Sequence, residues 1–265
     1  MKILAIGDPH GDLKKIRKVP KDVDFYLVTG DLGKADLVRK IYFENIEREK
    51  MDLPEREISV RENKKIHDEI HYSTLSVLKY LSEIASVYSI QGNIGITTVA
   101  QARKRSEKDG FENLATRKII DDSEDMYLVK NVIRNIGGLR VGFLEYFVDE
   151  CWIREFKPDD YRKSLKSAKK ESEKARRVLK RFGKVDILVC HQPPYGFLDK
   201  ISRKYGAPKE WKGKHAGSKV ILDYIRRFQP RYVFCGHIHE GEGRVMIGGS
   251  EVFNLGIGGS KIVEL

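Results

Sequence analysis

The chain has 265 residues, 40% of them hydrophobic, which is enough for one large core or two small ones. Mean hydropathy is −0.46, and no apolar run approaches the roughly 20 residues with which a helix crosses a bilayer, so no membrane-spanning helix is expected. Charged residues make up 34% and the net charge is +11, a basic balance that leaves acidic small molecules and nucleic acid as partners to weigh.

Met1-Lys2 runs directly into the apolar Ile3-Leu4-Ala5-Ile6, without the pattern of a secretory signal, so a cytoplasmic location is expected. Ile3–Ile6 and Phe25–Val28 read as nearly all-apolar strands, the pattern of a sheet covered on both faces. A helical stretch runs from Lys34 to about Lys50 and stops before Pro54. A second runs from about Asn63 to Glu83, with Ile66, Ile70, Val77, Leu78 and Leu81 along one side. Val87–Ile90 is the next strand, and Thr97–Lys108 the next helix. Met126–Lys130, Val132–Ile136 and Leu139–Leu144 read as successive strands, the last two joined by a tight Gly137-Gly138 turn.

Residues 161–184 then carry eleven Lys and Arg against Glu171 and Glu173. Leu165, Ala168, Ala175, Leu179 and Phe182 recur at helical spacing, which predicts one helix with a narrow apolar stripe and a basic solvent face. That face is a candidate footprint for nucleic acid, or simply a solvated surface. A strand at Asp186–Cys190, a helix from Gly217-Ser218 to Phe228 and a strand at Arg231–Cys235 follow. Short strands near 244–247, 252–254 and 261–263 complete the chain. Cys151, Cys190 and Cys235 show no CxxC spacing and leave one unpaired in any scheme, so buried core positions are expected for them. With no repeat or linker, the simplest organisation is one domain over 1–265, with two sheets and outer helices.

The chemistry gathers where apolar runs stop. Asp8 and His10 follow the first strand, Asp31 the second and Asn93 the third. His191 follows a later strand, and His237 and His239 another. In open α/β sheets, ligands bind at the carboxyl ends of strands. Each motif alone is weak, since a Gly-Asp after a strand is commonly a turn. The ordered set points seven oxygen and nitrogen donors at one edge. Without a thiolate, a closed structural zinc site is not expected. Carboxylate, imidazole and amide oxygen together suit Mn, Fe or Zn with open positions. Two metals need a bridging carboxylate.

In this order the motifs Asp8-Pro9-His10, Gly30-Asp31, Gly92-Asn93, His191 and Gly236-His237-Ile238-His239 resemble those of the calcineurin-like metallophosphoesterases. The resemblance implies a four-layered αββα sandwich, two mixed β-sheets packed face to face and flanked by helices. It implies two divalent metal ions, Mn first, with Fe, Zn, Ni or Co as further candidates. Asp8, His10, Asp31 and His239 would hold one, and Asp31, Asn93, His191 and His237 the other, with Asp31 as the bridge. It also implies hydrolysis of a phosphomonoester or phosphodiester, small molecule or nucleotide, by a hydroxide between the metals.

One position departs from the family pattern. Ile94 follows Asn93 where many members carry a histidine that helps the leaving alcohol, and Ile94 cannot donate a proton. His215, in Gly213-Lys214-His215-Ala216-Gly217-Ser218 before a helix, is the candidate substitute. The other accounts are a substrate with a good leaving group and a weak or lost enzyme. A nuclease and a non-catalytic scaffold are therefore weighed beside the phosphoesterase. Specificity is expected from residues 34–63, 145–160 and 193–214, with Tyr195, Phe197, Arg203, Tyr205 and Trp211 as candidates.

Overall fold

Residues 1–265 are described by a computed structural model. In β1 (Lys2–Ile6), Ile3 and Ala5 face one way and Leu4 and Ile6 the other, and all four are buried. A strand apolar on both faces needs a cover on both, and that requirement sets the layers.

After α1 (Leu13–Ile16) comes β2 (Phe25–Val28). Two helices, α2 (Asp36–Lys50) and α3 (Val60–Ser82), lead to β3 (Ser86–Ser89). Two more, α4 (Val99–Asp109) and α5 (Thr116–Asp121), lead to β4 (Met126–Leu128). β1 to β4 run parallel, and β11 (Ser260–Glu264) pairs antiparallel with β1 at the other edge. The second sheet opens with the hairpin β5 (Val132–Ile136) and β6 (Leu139–Leu144). After α6 (Glu150–Phe156) and α7 (Tyr161–Phe182) comes β7 (Ile187–Cys190). α8 (Lys219–Phe228), β8 (Tyr232–Cys235), β9 (Gly243–Ile247) and β10 (Ser250–Asn254) complete it, in the order β5-β6-β7-β8-β10-β9. Both sheets are mixed.

Three apolar layers hold the sandwich. Ile3, Ala5 and Leu27 of the first sheet meet Phe143, Val189 and Phe234 of the second. On the outer side of the first sheet, Leu4 and Val28 pack with Leu75, Leu78 and Leu81 of α3. On the outer side of the second, Leu188 and Val233 pack with Leu179 and Phe182 of α7 and Ile221 and Ile225 of α8. This is the expected αββα arrangement. The three cysteines are buried and unpaired. No helix is long and apolar enough to cross a membrane.

Several boundaries shift for local reasons. α4 starts at Val99 because Thr98 forms a capping box with Gln101, and Gly110 closes it in the left-handed region. The basic helix ends at Phe182 rather than residue 184, because Gly183 leaves the helical region at φ 56, ψ −140. α1, α5 and α6 escape the periodicity reading because they are short. α1 and α6 are each fixed at the start by one side chain, Asp12 accepting from Lys15 N–H and Asp149 from Cys151 N–H.

Parallel pairing puts the carboxyl ends of β1, β2 and β3 on one edge of their sheet. β7 and β8 do the same in the other. The site lies where these edges meet.

Candidate metal centre

Asp8 lies two residues beyond β1 and is fully buried. Its Oδ1 accepts the Thr29 hydroxyl at 2.8 Å, and its Oδ2 accepts the His237 N–H at 2.6 Å. One carboxylate thus ties together the ends of β1, β2 and β8 across the two sheets. The contact needs Gly236, where a Cβ would collide with the Asp8 carboxylate.

Asp31 Oδ1 accepts the Ile94 N–H at 2.8 Å, and its Oδ2 lies 3.5 Å from His191 Nε2. Asn93 Oδ1 is 2.6 Å from His191 Nε2 and 2.9 Å from His237 Nδ1. His10 Nε2 and His239 Nε2 are 3.1 Å apart. All seven sequence-predicted donors therefore come to one place. Asp8, His10 and His239 form one group and Asp8, Asp31 and His191 another, with the donor atoms of each within 4.8 Å of one another. The carboxylate common to both groups is Asp8, whereas the resemblance implies Asp31 as the bridge. His10, Asp31 and His237 hold left-handed backbone at φ 44, 45 and 64. Non-glycine residues keep that conformation at a cost of about 1–3 kcal/mol each, so the contacts around the edge must hold it in place.

The electrostatics favour a cation. Burial disfavours the charged form of Asp31, but His191, His10 and the Ile94 N–H overcome it and hold the carboxyl below the usual range. For His10, burial pushes the imidazole below its ordinary value, leaving the ring neutral with a lone pair to give. Burial opposes charge on His191 too, yet Asp31 and Asp8 raise it to about 9. A proton there occupies the ground that a metal ion would take. His191 Nδ1 lies 2.8 Å from the Thr29 carbonyl, which directs Nε2 at the donor cluster. Ionised carboxylates, neutral imidazole and one amide oxygen fit a pair of divalent ions.

Two supporting residues were not legible in the motifs. Thr29 holds both Asp8 and His191, and its position just before Gly30-Asp31 was the available signal. Glu145, just past β6, accepts the Gln91 and Gly92 N–H groups and so fixes the turn that carries Asn93.

His215 is not brought to the other seven. Its Nδ1 lies 2.7 Å from Asp199 Oδ1 and its ring packs against Tyr195, outside the cavity that opens on the donors. Asp199 also accepts the Gly196 and Gly217 N–H groups, so the loop keeps this histidine for itself. Among the specificity candidates, Tyr205 and Trp211 line the cavity of about 640 Å³, and Tyr195, Phe197 and Arg203 do not. Ile94 lines it as well.

The calcineurin-like phosphoesterase family model matches residues 1–241. Metallophosphoesterase domain-containing protein 1 of Homo sapiens is 41% identical over 70 residues, and so is that of Mus musculus; the match is 26% of this chain and 19% of each relative. The matched stretch thus spans about a fifth of those proteins. One crystal structure aligns over 97% of this chain and 90% of its own at TM-score 0.58 and 16% identity, a likeness of fold. A family model reaching from the first strand to just past the His237-Ile238-His239 turn places the chain in the calcineurin-like phosphoesterase family.

Proposed function

We propose that the chain is a metal-dependent phosphoesterase that hydrolyses a phosphomonoester or phosphodiester. The observation that carries this reading is the convergence of seven donors from five strand ends. In this reading Asp8, His10, Asp31 and His239 would hold one ion, and Asp31, Asn93, His191 and His237 the other, with Asp31 serving both. Mn is the first candidate. When bound, the ions supply an acidified water as nucleophile and a positive clamp for the phosphoryl oxygens.

The rest is done by the chain. Thr29, the His237 N–H and the Ile94 N–H fix the two carboxylates, so little reorganisation is left for the reaction. Arg39, paired with Asp36 at 3.0 Å, is the only Lys or Arg lining the cavity and would turn to a phosphoryl oxygen when substrate binds. Water oxygen bonds to phosphorus, the ester P–O bond breaks, and the leaving oxygen takes up a proton. Ile94 gives no proton, which forfeits the roughly 10²–10⁴-fold of general acid catalysis. Esters with good leaving groups suffer least from that loss. The three unpaired cysteines suit a reducing, cytoplasmic compartment.

The deciding experiment is a panel of phosphomonoesters, cyclic nucleotides and single-stranded DNA with added Mn²⁺, beside a chelated control. Turnover of at least one ester that disappears with chelator is expected. Turnover indifferent to chelator, or none with Mn²⁺, would end the reading. Gly236→Ala should weaken Mn²⁺ binding by about 10–100-fold by pushing Asp8 aside, measured by titration calorimetry; unchanged binding would show that the Asp8–Gly236 contact is not needed. His215→Ala should leave hydrolysis of activated and unactivated esters alike within about twofold, since truncating a side chain outside the site removes no transition-state contact. A loss confined to unactivated esters would return His215 to the role of proton donor.

A nuclease is the second reading. Ser164, Ser167 and Glu171 of α7 line the cavity, while Lys163, Lys166, Lys170 and Lys174 of the same helix are exposed. A steep fall of DNA affinity with salt would support it. Retention of every donor argues against a non-catalytic scaffold.

A further inference from the structure

The cavity opens on five of the seven donors, His10, Asp31, Asn93, His237 and His239. Sixteen of its 27 lining residues are hydrophobic, and Tyr42, Phe43, Trp152, Tyr205 and Trp211 give it an aromatic wall. Three segments outside the strand framework build that wall. α2 brings Tyr42 and Phe43, α6 brings Trp152, and residues 193–214 bring Tyr205 and Trp211.

Trp211 is the hub. Its ring meets Phe43 at 6.2 Å and 81°, Trp152 at 5.9 Å and 89°, and Phe156, behind the wall, at 4.9 Å and 67°. Edge-to-face contacts of this kind fix aromatic rings in place. The wall also reaches the donors, because the Tyr205 ring stands edge-on to His239 at 5.3 Å and 87°.

A small local core explains part of this arrangement. Phe43, Trp152 and Trp211 pack on Phe156, Ile201, Ala207, Ala216 and Ile238. It does not explain Val38 and Tyr42, which line the cavity and remain 40% and 49% exposed. α2 buries only Ile41, yet it keeps this apolar side over the charged edge. An apolar surface left wet beside a polar site is the usual form of a ligand pocket, and the volume lies within the common range of about 300–1,000 Å³.

Charge narrows the occupant. Arg39 is the cavity's only cation and already pairs with Asp36 at 3.0 Å, while Glu171 and Glu240 also line the space. That balance suits one phosphoester and opposes a polyphosphate or a threaded oligonucleotide. Ile94 lines the same cavity. A phenol-type oxygen, with a pKa of about 10, leaves far more readily than an alkyl alcohol and needs no proton donor there.

We propose that the substrate is an aryl phosphoester, with its aromatic group against Phe43, Trp152, Tyr205 and Trp211 and its phosphoryl group on the metal edge. This rests on the phosphoesterase reading. A nucleobase offers the same flat ring from a different source, and the test separates the two.

Trp152 and Trp211 are the only tryptophans, so their emission reports on this wall directly. Three non-hydrolysable ligands are titrated into Mn²⁺-loaded protein: methylphosphonate, phenylphosphonate and the phosphonate analogue of thymidine 5′-phosphate. Phenylphosphonate should bind about 10-fold or more tightly than methylphosphonate, as burial of one ring implies, and should shift the tryptophan emission. In Phe43→Ala that preference should fall to about threefold or less. Equal affinities, or a phenyl preference without an emission change, overturn the inference. Thymidine phosphonate binding about 10-fold tighter than phenylphosphonate overturns the aryl assignment in favour of a base, a margin that hydrogen bonds to base edges would supply. A phenyl preference that survives chelation unchanged sinks the phosphoesterase reading while leaving the wall. Mn²⁺-dependent hydrolysis without a phenyl preference sinks the wall alone.

Discussion

Asp31→Asn is expected to lower metal-supported kcat/KM by about 10³-fold or more, because it removes one of only two carboxylates that would face the proposed metal ions. The change keeps size and shape, and an amide oxygen can still accept the Ile94 N–H. What disappears is a negative charge at a side chain only 3% exposed, where water compensates little. The metal-free protein should also lose some stability, since the variant gives up the pairing with His191 that holds the buried Asp31 carboxyl below its usual range. Mn²⁺ should raise the Tm of the natural protein by binding only its folded state and should fail to do so in the variant. Calorimetry with and without Mn²⁺, beside a rate assay, reads both effects. Full activity in the variant would remove Asp31 from the centre of the site. A comparable loss in Asp8→Asn would match the place of Asp8 in both donor groups.

Phe143→Ala should cost about 3–5 kcal/mol of stability, a fall in Tm on the order of 10 °C for a chain of this length. Phe143 is fully buried in the layer between the sheets, among Val141, Val189, Phe234 and Ile3. The strands on either side are hydrogen-bonded in register, so the gap cannot close by a side-chain shift alone. The same layer holds the two halves of the metal edge together. Thermal unfolding gives the measurement, and a loss below about 1 kcal/mol would mean that the sheets repack freely around the vacancy.

The strands β1, β2, β7 and β8 were legible because each is short, apolar and followed at once by a polar motif. Ile3–Ile6 ahead of Asp8, and Phe25–Val28 ahead of Asp31, carry their meaning locally. The short helices were not legible, since four or seven residues span only one or two turns, too few for a repeat to show. Asp12 and Asp149 reveal their capping role only in the folded backbone. His215 illustrates the opposite failure. Its Gly-rich surroundings before a helix imitate a site, but Asp199, 16 residues earlier in the chain, claims it through a contact that spacing does not disclose.

The sequence by itself determined the seven donors and their edge, because a parallel strand delivers whatever follows it to one side of the sheet. Only the tertiary structure decided that Asp8 is common to both donor groups, that Thr29 and Glu145 brace them, and that 34–63, 145–160 and 193–214 meet as one aromatic wall. Those facts depend on how closely two sheets approach and where three separate segments fold back over their shared edge. Contacts between distant parts of a chain leave no period in it to read.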